Sequence, residues 1–186
     1  MDKDIDNYEW SSKKAEDLYI LASTFAEKSD ILRYDILFRY GGVYSDIDVL
    51  CLKSFNRLLD SGASFIAGLE TNQLVKKFGH PLYIGNCIIG CIKGSPIMKY
   101  CLETLQSEKQ RPDLYLPMRT GPGHLSRACL FYINSEDSLI LPCSYFYPLP
   151  HVKREVEKTE ALSHTRDESY SIHFWDSSWE KKSQNS

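Results

Sequence analysis

Helices alternating with short buried strands predict an α/β protein with a mixed central sheet flanked by helices. Three observations carry that prediction. Apolar residues recur at helical spacing across residues 13–28 and again from Ile31 to Phe38, continuous apolar runs of strand length follow at 64–69 and 83–91, and Gly-Gly or Gly-Pro pairs punctuate the joins.

Taken in order, Leu18, Leu21, Ala22 and Phe25 mark the first helix. Ser29 and Asp30 read as the N-cap of a second, which Gly41-Gly42 ends at a left-handed position that only glycine takes cheaply. Val43, Tyr44 and Ser45 form a short strand entering a turn at Asp46. Residues 64–69 and 83–91 read as buried strands. Residues 97–105 and 124–133 read as helices, the latter just after the break Thr120-Gly121-Pro122-Gly123. A strand at 138–142, a charge-rich loop or lid at 151–168 and a last strand at 171–174 complete the series. Residues 1–12 and 181–186 are expected to be flexible ends, with 13–180 as one domain.

Composition narrows the function. Of the 186 residues 42% are hydrophobic and 25% charged, and the net charge of −3 offers no basic field for nucleic acid. No apolar run approaches the roughly 18 residues of a membrane helix. The acidic, polar start MDKDIDNYEW lacks the order of a signal peptide. The chain as given is therefore expected in the cytoplasm, or membrane-associated or in the Golgi if it is a fragment. Six cysteines without a Cys-x-x-Cys pair, most of them in apolar runs such as NCIIGCI, read as reduced core thiols.

The chemistry concentrates in SDILRYDILFRYGGVYSDIDVL. If the segment around Asp46-Ile47-Asp48 is extended, both carboxylates point to one side and Ile47 enters the core. Two converging carboxylates repel unless a cation sits between them. A hard divalent ion, Mg²⁺ or Mn²⁺, satisfies such a pair together with phosphates and water. A bare Asp-x-Asp is more often a solvated strand end, so the context decides. Asp30 and Arg33 lie one helical turn apart on one face. Alone they would read as a surface ion pair worth little. One Gly-Gly hinge upstream of the acidic turn, they can instead bind sugar hydroxyls.

This stretch resembles the DXD sugar-binding region of the Och1-like glycosyltransferases (glycosyltransferase family 32) and the equivalent part of the clostridial glucosylating toxins. It joins an Asp-x-x-Arg helix, a Gly-Gly, an aromatic residue and Asp-x-Asp at that family's spacing. Weaker similarity continues through Gly85-Asn86, Gly94-Ser95-Pro96, Thr120-Gly121-Pro122, ILPCSYFYP and SIHFWDSSW, spanning residues 28–180. The resemblance implies a GT-A-like fold. It implies that Asp30, Arg33 and Tyr44 hold the donor sugar, that Asp46 contacts ribose or sugar hydroxyls, and that Asp48 binds the metal. His173 with Asp176, Ser177 or Ser178 would complete the metal shell, and Trp179 would cover the diphosphate. Family members usually begin with a nucleotide-binding strand, and none precedes the helix at Lys13.

The implied activity is retaining transfer of a hexose from a UDP- or GDP-sugar to an acceptor hydroxyl on a glycan, lipid or protein, assisted by Mn²⁺ or Mg²⁺. A cation on the diphosphate neutralises the charge developing on the leaving group, while Asp30 and Asp46 stabilise oxocarbenium character. Asn86 is a candidate beside the anomeric carbon, weighed evenly against an Asn pairing backbone in a strand. His173 is weighed evenly between ligand and packed residue. Trp175 reads as core closure, His124 as an exposed helix-start residue that can point at the acceptor, and His80, His151 and His164 as surface residues. Two rivals stand: a weak or inactive sugar-binding module of the same fold, and a metal-dependent hydrolase, for which no second acidic cluster is evident.

Overall fold

The structure is a computed structural model and describes residues 5, 7–79, 82–109, 113–132, 134, 137–153 and 155–175. Helix α1 (Lys13–Ile20) starts where the Ser12 side chain accepts from the Ala15 N–H. Helix α2 (Phe25–Tyr40) starts on a capping box in which Thr24 and Glu27 exchange side-chain and backbone hydrogen bonds. The boundary expected at Ser29-Asp30 is thus corrected: the Thr24–Glu27 pair satisfies the orphan N–H groups a turn earlier, and both residues lie inside α2.

Gly41 closes α2 at φ 66°, its N–H on the Leu37 carbonyl. A Cβ there would fall 2.5 Å from the Lys93 nitrogen, so the stop needs glycine sterically as well as conformationally. Strands β1 (Gly42–Ser45) and β2 (Val49–Cys51) flank the acidic turn, and α3 (Asn56–Leu59) leads to β3 (Phe65–Leu69). After α4 (Asn72–Phe78) come β4 (Ile84–Cys91), α5 (Pro96–Lys109), α6 (Leu116–Arg119) and α7 (Pro122–Phe131). The chain then forms β5 (Ser138–Leu141), α8 (Cys143–Phe146), a 3₁₀ turn His151–Lys153, α9 (Lys158–Leu162) and β6 (Ser171–His173). Helix α7 begins at Pro122, inside the expected break, as suits proline at the first helical turn. The segment expected as a loop at 151–168 contains α9, whose Ala161 is buried against Leu149 and Ile172.

The main sheet runs β1-β4-β3-β5, with β4 antiparallel to β1 and β3, and β3 parallel to β5. It is mixed and flanked by helices, as the sequence predicted. On one face Phe65, Ala67, Ile84 and Ile89 pack with Tyr34 and Leu37 of α2, Ile97 and Met98 of α5, and Leu125 of α7. On the other, Ile66, Cys87 and Ile88 pack with Leu141, Phe146 and Tyr147. Both faces are covered, which is why β3 and, apart from Asn86, β4 read as apolar runs rather than alternating ones. Each fully buried Ile or Phe contributes about 1.5–3 kcal/mol.

A second, two-stranded sheet pairs β2 with β6 and sets Val49 opposite His173. All six cysteines are free; Cys87, Cys101 and Cys129 are buried and Cys51 is exposed. Among the described residues no helix is long and apolar enough to cross a membrane.

Candidate active site

The face of α2 that carries Asp30 and Arg33 turns inward. Their side chains are 9% and 6% exposed, so this is a buried pair, not the surface ion pair that its spacing out of context would suggest. Burying a guanidinium is tolerable only if its donors are met. Arg33 Nη1 donates to the Asn86 carbonyl at 2.6 Å and Nη2 to Ser29 Oγ at 3.0 Å. Nη2 also faces Asp30 Oδ1 at 3.4 Å and Asp46 Oδ1 at 3.3 Å, and the Tyr44 ring lies 4.7 Å from the guanidinium carbon. Burial works against the charge, and Asp30 and Asp46 overcome it, holding the Arg33 pKa above its ordinary value.

Asp30 is fixed from further along the chain. Thr120 Oγ1 donates to its Oδ2 at 2.7 Å and Asn86 Nδ2 to its Oδ1 at 2.8 Å. Asn86 thereby ties β4 to α2 through its side chain and its carbonyl together. Burial pushes the Asp30 carboxyl up, against the opposing pull of Arg33.

The Asp46 amide donates to the Cys87 carbonyl at 2.9 Å, and Val49 N–H reaches back to the Asp46 carbonyl at 3.3 Å. Residues 46–49 therefore form a turn rather than an extended run. Ile47, expected in the core, is fully exposed at the tip, because the turn breaks the alternation that would have sent it inward. Tyr44 Oη donates to Asp46 Oδ1 at 2.6 Å, and burial pushes the Tyr44 phenol up to about 12. His173 Nε2 lies 3.0 Å from Asp48 Oδ2, and its Nδ1 lies 3.5 Å from Cys87 Sγ.

These groups line one open cleft of about 500 Å³. Asp46, Asp48, Cys87, His173 and Trp175 line it together. Asp30, Arg33 and Asn86 form part of its wall, and Leu74, Tyr115, Leu116 and Pro117 add apolar surface. Asp46, Cys87 and His173 each offer a ligand atom within 4.8 Å of the others. A carboxylate and an imidazole of this kind can serve a divalent cation, and Asp48 adjoins the group through His173 Nε2. Burial pushes the Cys87 thiol well up, which disfavours the thiolate a metal requires, so the oxygen and nitrogen donors fit best.

Most of the expected residues meet here: Asp30, Arg33, Tyr44, Asp46, Asp48, Asn86 and His173 all line the cleft. Ser177 and Trp179, with Asp176 and Ser178, lie outside the described residues, as do His80 and the tail at 181–186. Several readings are corrected. Trp175 packs against two core clusters, as expected of core closure, and in addition lines the cleft, its ring 4.1 Å from that of His173. His151, expected on the surface, is half-buried and packs against Trp175 at 5.3 Å. His124 is buried, with Nε2 2.9 Å from the Cys101 carbonyl, because α7 packs its first turn against α5. Thr120, Cys87 and Glu70 were not singled out. Only the TGP motif pointed toward Thr120, and nothing local marked Cys87 or Glu70.

A buried guanidinium thus holds the Asp46 carboxylate of the acidic turn against an open cleft. Comparison with known proteins agrees: residues 1–65 match the family described as "Glycosyltransferase sugar-binding region containing DXD motif", so the resemblance carried by SDILRYDILFRYGGVYSDIDVL holds. The chain is 33% identical over 103 residues to "Inositol phosphoceramide mannosyltransferase 3" of Schizosaccharomyces pombe, covering 54% of this chain and 26% of that protein. It is 29% identical over 137 residues to a "Toxin" of Photorhabdus asymbiotica, covering 73% and 4% respectively. It is 32% identical over 89 residues to "Uncharacterized glycosyltransferase L373" of Acanthamoeba polyphaga mimivirus, covering 48% and 33%. A solved structure, "PaToxG Glycosyltransferase", matches at 25% identity with a TM-score of 0.49 over 66% of this chain and 41% of that one. The chain thus spans a third or less of the length of the three sequence relatives.

Proposed function

We propose that this chain carries the donor-sugar and metal site of a retaining glycosyltransferase, moving a hexose from a nucleotide-diphosphate sugar to an acceptor hydroxyl. The observation that supports it most is the buried Arg33, which ties Asp30, Asn86 and Asp46 into one rigid wall of the cleft. Such preorganised polar groups favour a sugar over a solvated ion alone.

In this reading Asp48, Asp46 and His173 hold Mn²⁺ or Mg²⁺. The bound cation would supply Lewis-acid neutralisation of the departing diphosphate. The chain's own residues do the positioning. Asp30 and Arg33 take hydroxyls of the transferred hexose, with Asn86 and Thr120 keeping Asp30 in place. Tyr44 and Arg33 lock the Asp46 carboxylate toward the cleft, where its charge stabilises the oxocarbenium character of the sugar. The anomeric C–O bond to the diphosphate breaks. The acceptor oxygen bonds to the same face, and its proton passes to the departing phosphate oxygen. The Trp175 and Tyr115 rings add stacking surface for sugar or base.

The test is a thermal-shift screen of UDP- and GDP-hexoses with and without Mn²⁺, followed by an assay of nucleotide release. A Mn²⁺-dependent rise in melting temperature with release of nucleotide is the expected result. A shift without release would favour the binding module, and no shift with any donor would remove the reading.

A further inference from the structure

Five buried side-chain atoms have no hydrogen-bond partner among the described residues: Arg39 Nη1, Glu70 Oε2, Thr71 Oγ1, Arg119 Nε and His124 Nδ1. Of the residues that carry them, Glu70 alone lines the cleft. A buried carboxyl oxygen left unmet costs free energy that a fold does not normally retain without a use. Glu70 is 3% exposed and sits just past β3, its N–H donating to the Tyr83 carbonyl at 2.8 Å. The β3–β4 register shifts between Ala67 and Leu69, immediately before it. Such irregularities re-aim the side chains that follow and are frequent beside active sites.

We propose that Glu70 is a sugar-specificity residue, its free oxygen taking a hydroxyl of a hexose seated in the cleft. The inference rests on the glycosyltransferase reading above and adds a recognition group that lies outside the DXD region. Among the described residues Oε2 has no hydrogen-bond partner, whereas Asp30 and Asp46 share Arg33. A neutral hydroxyl is the partner that such a carboxyl accepts without importing charge. Burial pushes the Glu70 carboxyl up to about 8, with the Thr71 backbone hydrogen bond opposing. At neutral pH the group is therefore a carboxylic acid, able to donate to a sugar oxygen as well as to accept.

The hydroxyl can belong to the donor hexose or to a sugar acceptor, and the two are separable. Glu70→Met keeps volume while removing the polar atoms. Glu70→Gln keeps a donor and an acceptor in a neutral group. Calorimetry with Mn²⁺ and a panel of UDP-glucose, UDP-galactose, UDP-N-acetylglucosamine and GDP-mannose, with UDP and GDP as controls, reads the donor arm. If the donor supplies the hydroxyl, Glu70→Met loses about tenfold in affinity for the preferred nucleotide-sugar and nothing for the free nucleotide, while Glu70→Gln stays near the unaltered protein. If an acceptor supplies it, donor binding and hydrolysis persist, and transfer to methyl hexosides falls about tenfold in Glu70→Met alone. Glu70→Met with unaltered donor binding and unaltered transfer overturns the inference and leaves the glycosyltransferase reading standing. An unaltered protein that binds no nucleotide-sugar of the panel overturns both.

Discussion

His173 Nε2 stands 3.0 Å from Asp48 Oδ2, although 125 residues separate them in the chain. The β2–β6 ladder makes the meeting possible: Val49 pairs with His173, and the Phe174 N–H donates to the Asp48 carbonyl at 3.0 Å. The last strand therefore completes the acidic turn. Asp48→Asn is expected to fold normally and to lose Mn²⁺-dependent turnover, because an amide brings no ligand charge. His173→Ala should weaken Mn²⁺ affinity by about 10–100-fold. Titration of Mn²⁺ against nucleotide release checks both, and Mn²⁺ stimulation that survived in Asp48→Asn would remove the ligand assignment.

Beside the sugar-binding role proposed for it, Arg33 holds the fold together. Its removal leaves the buried Asp30 and the half-buried Asp46 without their shared cation. Arg33→Ala is expected to cost about 3–5 kcal/mol, lowering the melting temperature by roughly 10 °C for a domain of this size. Adding Asp30→Asn should recover part of the loss by removing one uncompensated carboxylate. Calorimetric melting of the single and double variants measures the coupling, and simple additivity would argue against it.

Acid should destabilise the protein through His124. Burial lowers its pKa from 6.5 to about 4, so the unfolded chain takes up a proton that the folded chain refuses. The contribution is complete above pH 6.5 and is lost as pH falls toward about 4, amounting to no more than about 3 kcal/mol. Urea midpoints at pH 7 and pH 4.5 should converge for His124→Gln relative to the unaltered protein. An equal acid loss in both proteins would assign the effect elsewhere.

Glu70 acts in the opposite sense. Its folded pKa of about 8 lies above the ordinary 4.5, so between those values the fold retains a proton that the unfolded chain releases. Stability falls as pH rises through this window and levels off above about 8. Glu70→Gln should therefore be more stable than the unaltered protein at pH 8.5, with the gain shrinking toward pH 5. A gain independent of pH would indicate a packing effect instead.

The Asp-x-x-Arg helix, the Gly41-Gly42 stop and the acidic turn were legible because each is a local pattern. Helical spacing puts Asp30 and Arg33 on one face, and φ 66° at Gly41 admits little else than glycine. The misreadings share a cause. Ser29 and Asp30 resemble a cap, but Thr24 with Glu27 captured the helix start. Ile47 resembles a core residue, but a turn at 46–49 threw it outward. His151 resembles a surface residue, yet a ring contact with Trp175 brings it to the cleft.

By itself the sequence determined the α/β class, the buried central strands and the identity of the acidic turn, because periodicity, glycine geometry and charge spacing act within a few residues. The tertiary structure alone decided that Thr120 and Asn86 clamp Asp30, that His173 closes on Asp48 and that Glu70 lines the cleft with an oxygen unmet among the described residues. Those outcomes depend on which strands become neighbours. Chain distance carries no information about that until the core has packed and excluded water from the groups it encloses.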